Sequence, residues 1–104
     1  MIEKELERGL TLARAGEYFE AHDAFEQAWR AARDDERDFF QGLVHVVVAW
    51  YQCGRGNRTG CVRQLAKARR RLTPFAPTHR GVDVAALLAQ LDGDPDALPP
   101  LHVP

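Results

Sequence analysis

The first residues that could do chemistry are a histidine and a carboxylate one helical turn apart. His22 and Glu26 are four positions apart, with Asp23 and Glu20 alongside and Trp29 almost a turn further on. On a helix, His22, Glu26 and Trp29 share one face. A second polar set follows at steps of three, four and seven: Asp38, Gln41, His45 and Gln52, inside an otherwise greasy segment. Such a stripe is costly to bury unless each group finds a hydrogen bond, a metal or water. If the two stripes face one another, His22, Glu26 and His45 make a two-histidine, one-carboxylate set with an open position, suited to zinc, manganese or ferrous iron. The cation would acidify a bound water for attack on an ester or phosphate. Asp23 or Glu20 is placed to accept the proton, Glu26 is both ligand and catalytic carboxylate, and Gln41 and Trp29 would hold substrate. HxxxE is much shorter than a zinc-protease motif such as HExxH, so the spacing alone names no reaction. Two other readings stand beside it: a structural network in which His, Gln and Glu satisfy one another, and a plain ligand pocket.

These side chains need helices to carry them, and the pattern supplies five. Ile2, Leu6, Leu10 and Ala13 recur at helical spacing over 2–15, and Gly16 stops that helix. Tyr18, Ala21, Phe25, Ala28 and Ala32 form the stripe of a second, the return arm of a hairpin. Arg33 to Arg37 is a polar hinge, and Phe39 to Cys53 reads as a central third helix. Its Val46-Val47-Val48 run is β-prone, but the stretch is about three times a usual strand's length. Gly54-Arg55-Gly56-Asn57 breaks the chain before a fourth helix through Cys61, Leu65, Ala68 and Leu72, which Pro74 and Pro77 end. Val82 to Leu91 is a short fifth helix, and the Pro-rich segment 92–104 reads as an extended or loose tail. Gly16, Ala21, Phe25 and Ala28 recur 40 residues later as Gly56, Cys61, Leu65 and Ala68. This echo is also similar to the tetratricopeptide hairpin.

Composition bounds the rest. With 104 residues, 45 % hydrophobic and 28 % charged, the chain fits one globular domain over 1–91 and is not a disordered segment. A net charge of −1 supplies no overall field for nucleic acid or anionic membranes. Arg58, Arg63, Lys67, Arg69, Arg70 and Arg71 make the fourth helix basic, which reads as a solvated face balanced by the acidic first two helices. Cys53 and Cys61 are too far apart for CxxC and too few for a zinc quartet, so reduced thiols are expected. No signal-peptide pattern and no run of membrane-spanning length is present, so the expected place is the cytoplasm, with no membrane partner. His79 and His102 are expected to be exposed, and a homo-oligomer is compatible with the composition.

Taken together, Tyr18-Phe19-Glu20-Ala21-His22-Asp23-Ala24-Phe25-Glu26-Gln27-Ala28-Trp29, then Phe40-Gln41-Gly42-Leu43-Val44-His45, then Gly56-Asn57 with Gly60, resemble a prokaryotic family, domain-of-unknown-function family 309. The resemblance runs from about Leu6 to Leu72, with Gly81-Val82-Asp83 similar to a later element. It implies a small helical cytoplasmic protein, of a family labelled a predicted metal-dependent hydrolase on its histidines and glutamates. The family's His-Glu, Glu and Trp pattern is met at His22, Glu26 and Trp29, with Asp23 where Glu is usual. Its Leu-Gln-Gly-Leu-Ile-Gln run is met at Gln41, Gly42 and Leu43, with His45 where the second Gln stands, and Gln52 replaces a His after the aromatic Tyr51. The expectation is an all-α bundle of two hairpins plus a short fifth helix. It carries either a metal-assisted hydrolase site between helices two and three or a non-enzymatic interaction module with a structural polar network.

Overall fold

A computed structural model describes residues 2–104. Helices α1 (Ile2–Arg14), α2 (Tyr18–Ala31), α3 (Arg37–Gly54) and α4 (Arg58–Leu72) follow one another. Each packs chiefly on its neighbour in sequence. A 3₁₀ turn (Thr73–Phe75) leads into a two-stranded antiparallel hairpin, β1 (Thr78–His79) with β2 (Val82–Asp83), and then α5 (Val84–Gln90). The fold is all-α apart from this hairpin. The fifth helix thus starts two residues later than its apolar pattern implies, because Val82 and Asp83 pair with His79 and Thr78. Asp83 then caps α5, its Oδ1 accepting from the Ala86 N–H at 2.9 Å.

The two hairpins close in the same way. After α1 the Gly16 N–H donates to the Ala13 carbonyl (3.1 Å) and the Glu17 N–H to Leu12 (2.9 Å). After α3 the Gly56 N–H donates to Cys53 (3.0 Å) and the Asn57 N–H to Gln52 (2.9 Å). Both are the 5→2 and 6→1 bonds of a Schellman stop, with glycine at φ 77° and 79° where other residues meet a steric penalty. The 40-residue echo in the sequence is this repeated turn. Each hairpin also has one close approach: a Cβ on Gly9 would lie 2.4 Å from the Phe25 ring, and one on Gly42 2.6 Å from Leu72.

The core runs from Leu6 and Leu10 through Phe25, Phe39, Phe40, Val46 and Val47 to Leu72, Val84 and Leu87. The segment after α5 turns twice over 91–97 and then runs without regular structure over 98–104, docked rather than loose. Leu101 and Val103 enter the core, the Trp50 indole donates to the Pro99 carbonyl (2.9 Å), and Arg14 Nε donates to that of Val103 (3.0 Å). No described helix is long and apolar enough to cross a membrane.

Two expectations fail. Cys53 and Cys61 are not free thiols: they form a disulfide across the α3–α4 turn, their Cα atoms 5.1 Å apart. The glycine turn folds the ends of the two helices together, so eight positions of sequence separation become direct contact. His79 is half-buried, not exposed, with edge-on rings of Phe39 and Phe75 at 4.6 and 4.8 Å and Nε2 2.7 Å from Glu36 Oε2.

Candidate functional site

At 100° per residue, Gln41, His45, Val48 and Gln52 fall within about 60° on α3. Leu43, Val46, Val47 and Trp50 on the opposite side are buried. The polar stripe therefore lies on the outer side of α3, flanked by α2 and α4, and its members divide between the two.

Toward α2 there is a cleft of about 190 Å³, walled by Tyr18, Phe19 and His22 of α2 and by Val48, Tyr51 and Gln52 of α3. Phe19 is 63 % exposed, an uncommon place for a phenyl ring. Its ring centre lies 5.8 Å from that of Tyr51 and 6.3 Å from that of His22. Arg55 braces the far wall, donating to the Tyr51 hydroxyl at 2.8 Å. Gln52 Oε1 accepts from the Asn57 amide (3.0 Å), which turns the Gln52 amide nitrogen into the wall's donor. His22 Nε2 stands 3.4 Å from Glu26 Oε2, and the other Glu26 oxygen accepts from Arg30 at 2.9 Å. The spacing of one turn creates that chain, and His22 and Glu26 are each about one-third exposed.

Toward α4, His45 Nδ1 is 2.7 Å from Gln64 Oε1. An amide oxygen only accepts, so Nδ1 carries the proton and Nε2 keeps its lone pair. Burial holds the imidazole below its ordinary pKa, the Gln64 bond opposes this, and the cations of Lys67, Arg71 and Arg70 lower it further. His45 is therefore neutral at pH 7.

Of the residues nominated from the sequence, His22 lines the cleft, and Glu26 stands behind it. His45 is committed to α4. Asp23 is exposed and lies 3.7 Å from Arg8 of α1. Trp29 has the Arg37 guanidinium 4.6 Å above its ring. Gln41 is half-buried on α3, and Asp38 pairs with Arg71. Among the described residues no three His, Cys, Asp or Glu side chains are grouped to share a metal ion. The set His22, Glu26 and His45 does not fit a three-ligand centre, because its third member faces the other neighbour. Phe19 and Tyr51 were not apparent as cleft walls; a bulky ring beside charged residues on the polar side of α2 is the signal that marks the first of them.

The family described as Domain of unknown function (DUF309) matches residues 6–64, more than half of the chain. That span contains the whole cleft and both cysteines, and it stops before the basic end of α4. No curated protein and no solved structure matches. The chain belongs to the DUF309 family.

Proposed function

We propose that this DUF309 chain is a cytoplasmic helical domain that holds a small molecule in the α2–α3 cleft and uses His22 with Glu26 for proton transfer in a hydrolysis. The observation that carries the reading is a paired imidazole placed beside two aromatic walls, one of them the exposed Phe19. In this reading the Nε2 edge of His22 stands 3.4 Å from the Glu26 carboxylate, and Nδ1 serves as the base that takes a proton from water as it attacks an ester or phosphate. Arg30 holds the second Glu26 oxygen at 2.9 Å and so orients the carboxylate. The Gln52 amide is a donor for the substrate's carbonyl or phosphoryl oxygen, and Phe19 and Tyr51 supply apolar contact. Asp23, Gln41 and Trp29 do not line the cleft and take no step in this reading, and no step runs through a metal. Neither nucleic acid nor a second copy of the chain is needed.

A second reading has its own support. His45 with Gln64, Gln52 with Asn57 and Asp38 with Arg71 each satisfy one another, as in an interaction module whose polar groups only fix helix packing. Turnover of p-nitrophenyl acetate and p-nitrophenyl phosphate by the wild type, His22→Ala and Glu26→Gln separates the two. The acid–base reading expects saturable turnover that falls by about 10²-fold in His22→Ala with helicity and melting unchanged. No saturable turnover, or an equal rate in His22→Ala, would falsify it. A His45→Ala protein that melts far below wild type, with no turnover in the wild type, points to the network.

A further inference from the structure

The Cys53–Cys61 bond closes the α3–α4 turn at one end of the bundle, and its two sulfurs are in unlike surroundings. Cys61 is 0 % exposed and sits in the first turn of the 15-residue helix α4. Cys53 is only half-buried, and it borders a recess of about 110 Å³ together with Gly56, Arg58, Pro95 and Asp96. The recess lies under the docked tail. Arg58 Nε holds Asp96 Oδ1 at 2.9 Å, and the Pro95 carbonyl oxygen rests 3.1 Å from Cys53 Sγ. A disulfide sulfur bears no hydrogen, so that approach is a packing contact and not a hydrogen bond.

We propose that Cys53 is a thiol–disulfide exchange site for a small thiol of the glutathione type, with Cys61 as the leaving sulfur and the Arg58–Asp96 pair as the latch over it. Exchange needs one sulfur within reach of the attacking thiolate and a good leaving group behind it. Cys53 meets the first condition. Cys61 is the sulfur left behind: the positive end of α4 draws charge toward it, although its burial works the other way. The thiolate RS⁻ bonds to Cys53 Sγ while the Cys53–Cys61 bond breaks, and Cys61 departs with the electron pair. A second RS⁻ then attacks the R-bearing sulfur of the mixed disulfide, releasing RSSR and a Cys53 thiolate, and both cysteines take protons from water. The protein disulfide is reduced by two electrons as two RSH become RSSR. The modified residue directly follows Gln52, so the mixed disulfide forms next to the cleft wall.

The protein is equilibrated with oxidised glutathione, exposed to excess reduced glutathione at neutral pH, trapped with iodoacetamide, digested and read by mass spectrometry. The expected intermediate carries glutathione on Cys53 and the alkyl group on Cys61, and it forms at a rate proportional to glutathione concentration. Asp96→Ala, which opens the latch without touching the core, exchanges about two- to fivefold faster, the usual range for one exposed ion pair. Cys61→Ser takes one glutathione from the oxidised form, and Cys53→Ser takes none. Four results overturn the proposal: adducts on Cys61, a rate independent of glutathione, an unchanged rate in Asp96→Ala, or failure of oxidised glutathione to pair the two thiols.

Discussion

Glu36 ties three separate segments together through one carboxylate. It receives the Arg80 guanidinium on both oxygens and lies against His79, while Arg80 also reaches Glu3 of α1. The Arg80 hydrogen bonds, with help from His79, pull the Glu36 carboxyl down to about 2 against partial burial. A carboxyl lowered in the folded state stabilises it fully above the ordinary value near 4.5, and that contribution disappears as pH falls from there toward 2. Urea unfolding should therefore show about 2 kcal/mol of stability lost over that window in the wild type and absent from Glu36→Gln. His45 carries the same sign at higher pH. Its imidazole is depressed, so folding is favoured above the ordinary 6.5 and loses this contribution as pH falls below it. A ring-proton NMR titration should put the His45 midpoint below 6.5, and a midpoint at or above that value contradicts its burial beside the Lys67, Arg71 and Arg70 cations. Neither partner was legible in the sequence. His45 lies 19 positions from Gln64 and His79 43 positions from Glu36, and periodicity carries no information over such distances.

At the scale of elements the sequence was far more informative. Apolar residues at steps of three and four gave α1 to α4, and the Gly16 and Gly56 punctuation gave both turns, because those signals are local. The β1–β2 hairpin escaped notice: two residues per strand are too few to show an alternation, and its Arg80-Gly81 turn bends at an arginine with φ 49°. Which way a polar stripe faces is also not local. On α3 it lies between two neighbouring helices, so residues on one helical face are shared out, Gln52 to the α2 side and His45 to the α4 side. Facing stripes were expected from amphipathic logic, which fixes the face of a helix but not the neighbour each residue meets. The close approaches give a sharper test of the packing. Gly42→Ala forces a methyl into the Leu72 side chain and should cost about 1–3 kcal/mol in urea unfolding, and Gly9→Ala should do the same against Phe25. A variant as stable as wild type would mean that the helix pair has room to part.

The whole molecule is closed at one end by its disulfide and its tail. Composition suggested thiols because two cysteines eight apart match no standard pairing motif; only the folded turn brings them together. Reducing the bond frees a short loop, so dithiothreitol should lower unfolding free energy by about 2–3 kcal/mol, with Cys53→Ser–Cys61→Ser showing the same deficit without reductant. Trp50→Phe, which removes the donor to Pro99, should loosen the tail and speed amide exchange at Leu101 and Val103 while the α1–α4 amides stay protected. The order in which the helices pack has a kinetic consequence. Because α1 meets α2, α2 meets α3 and α3 meets α4, most native pairings join segments close along the chain. Low contact order of this kind favours submillisecond to millisecond folding. A nascent chain can settle each helix on the one synthesised just before it, and Leu101 and Val103 arrive last to seal a bundle already assembled.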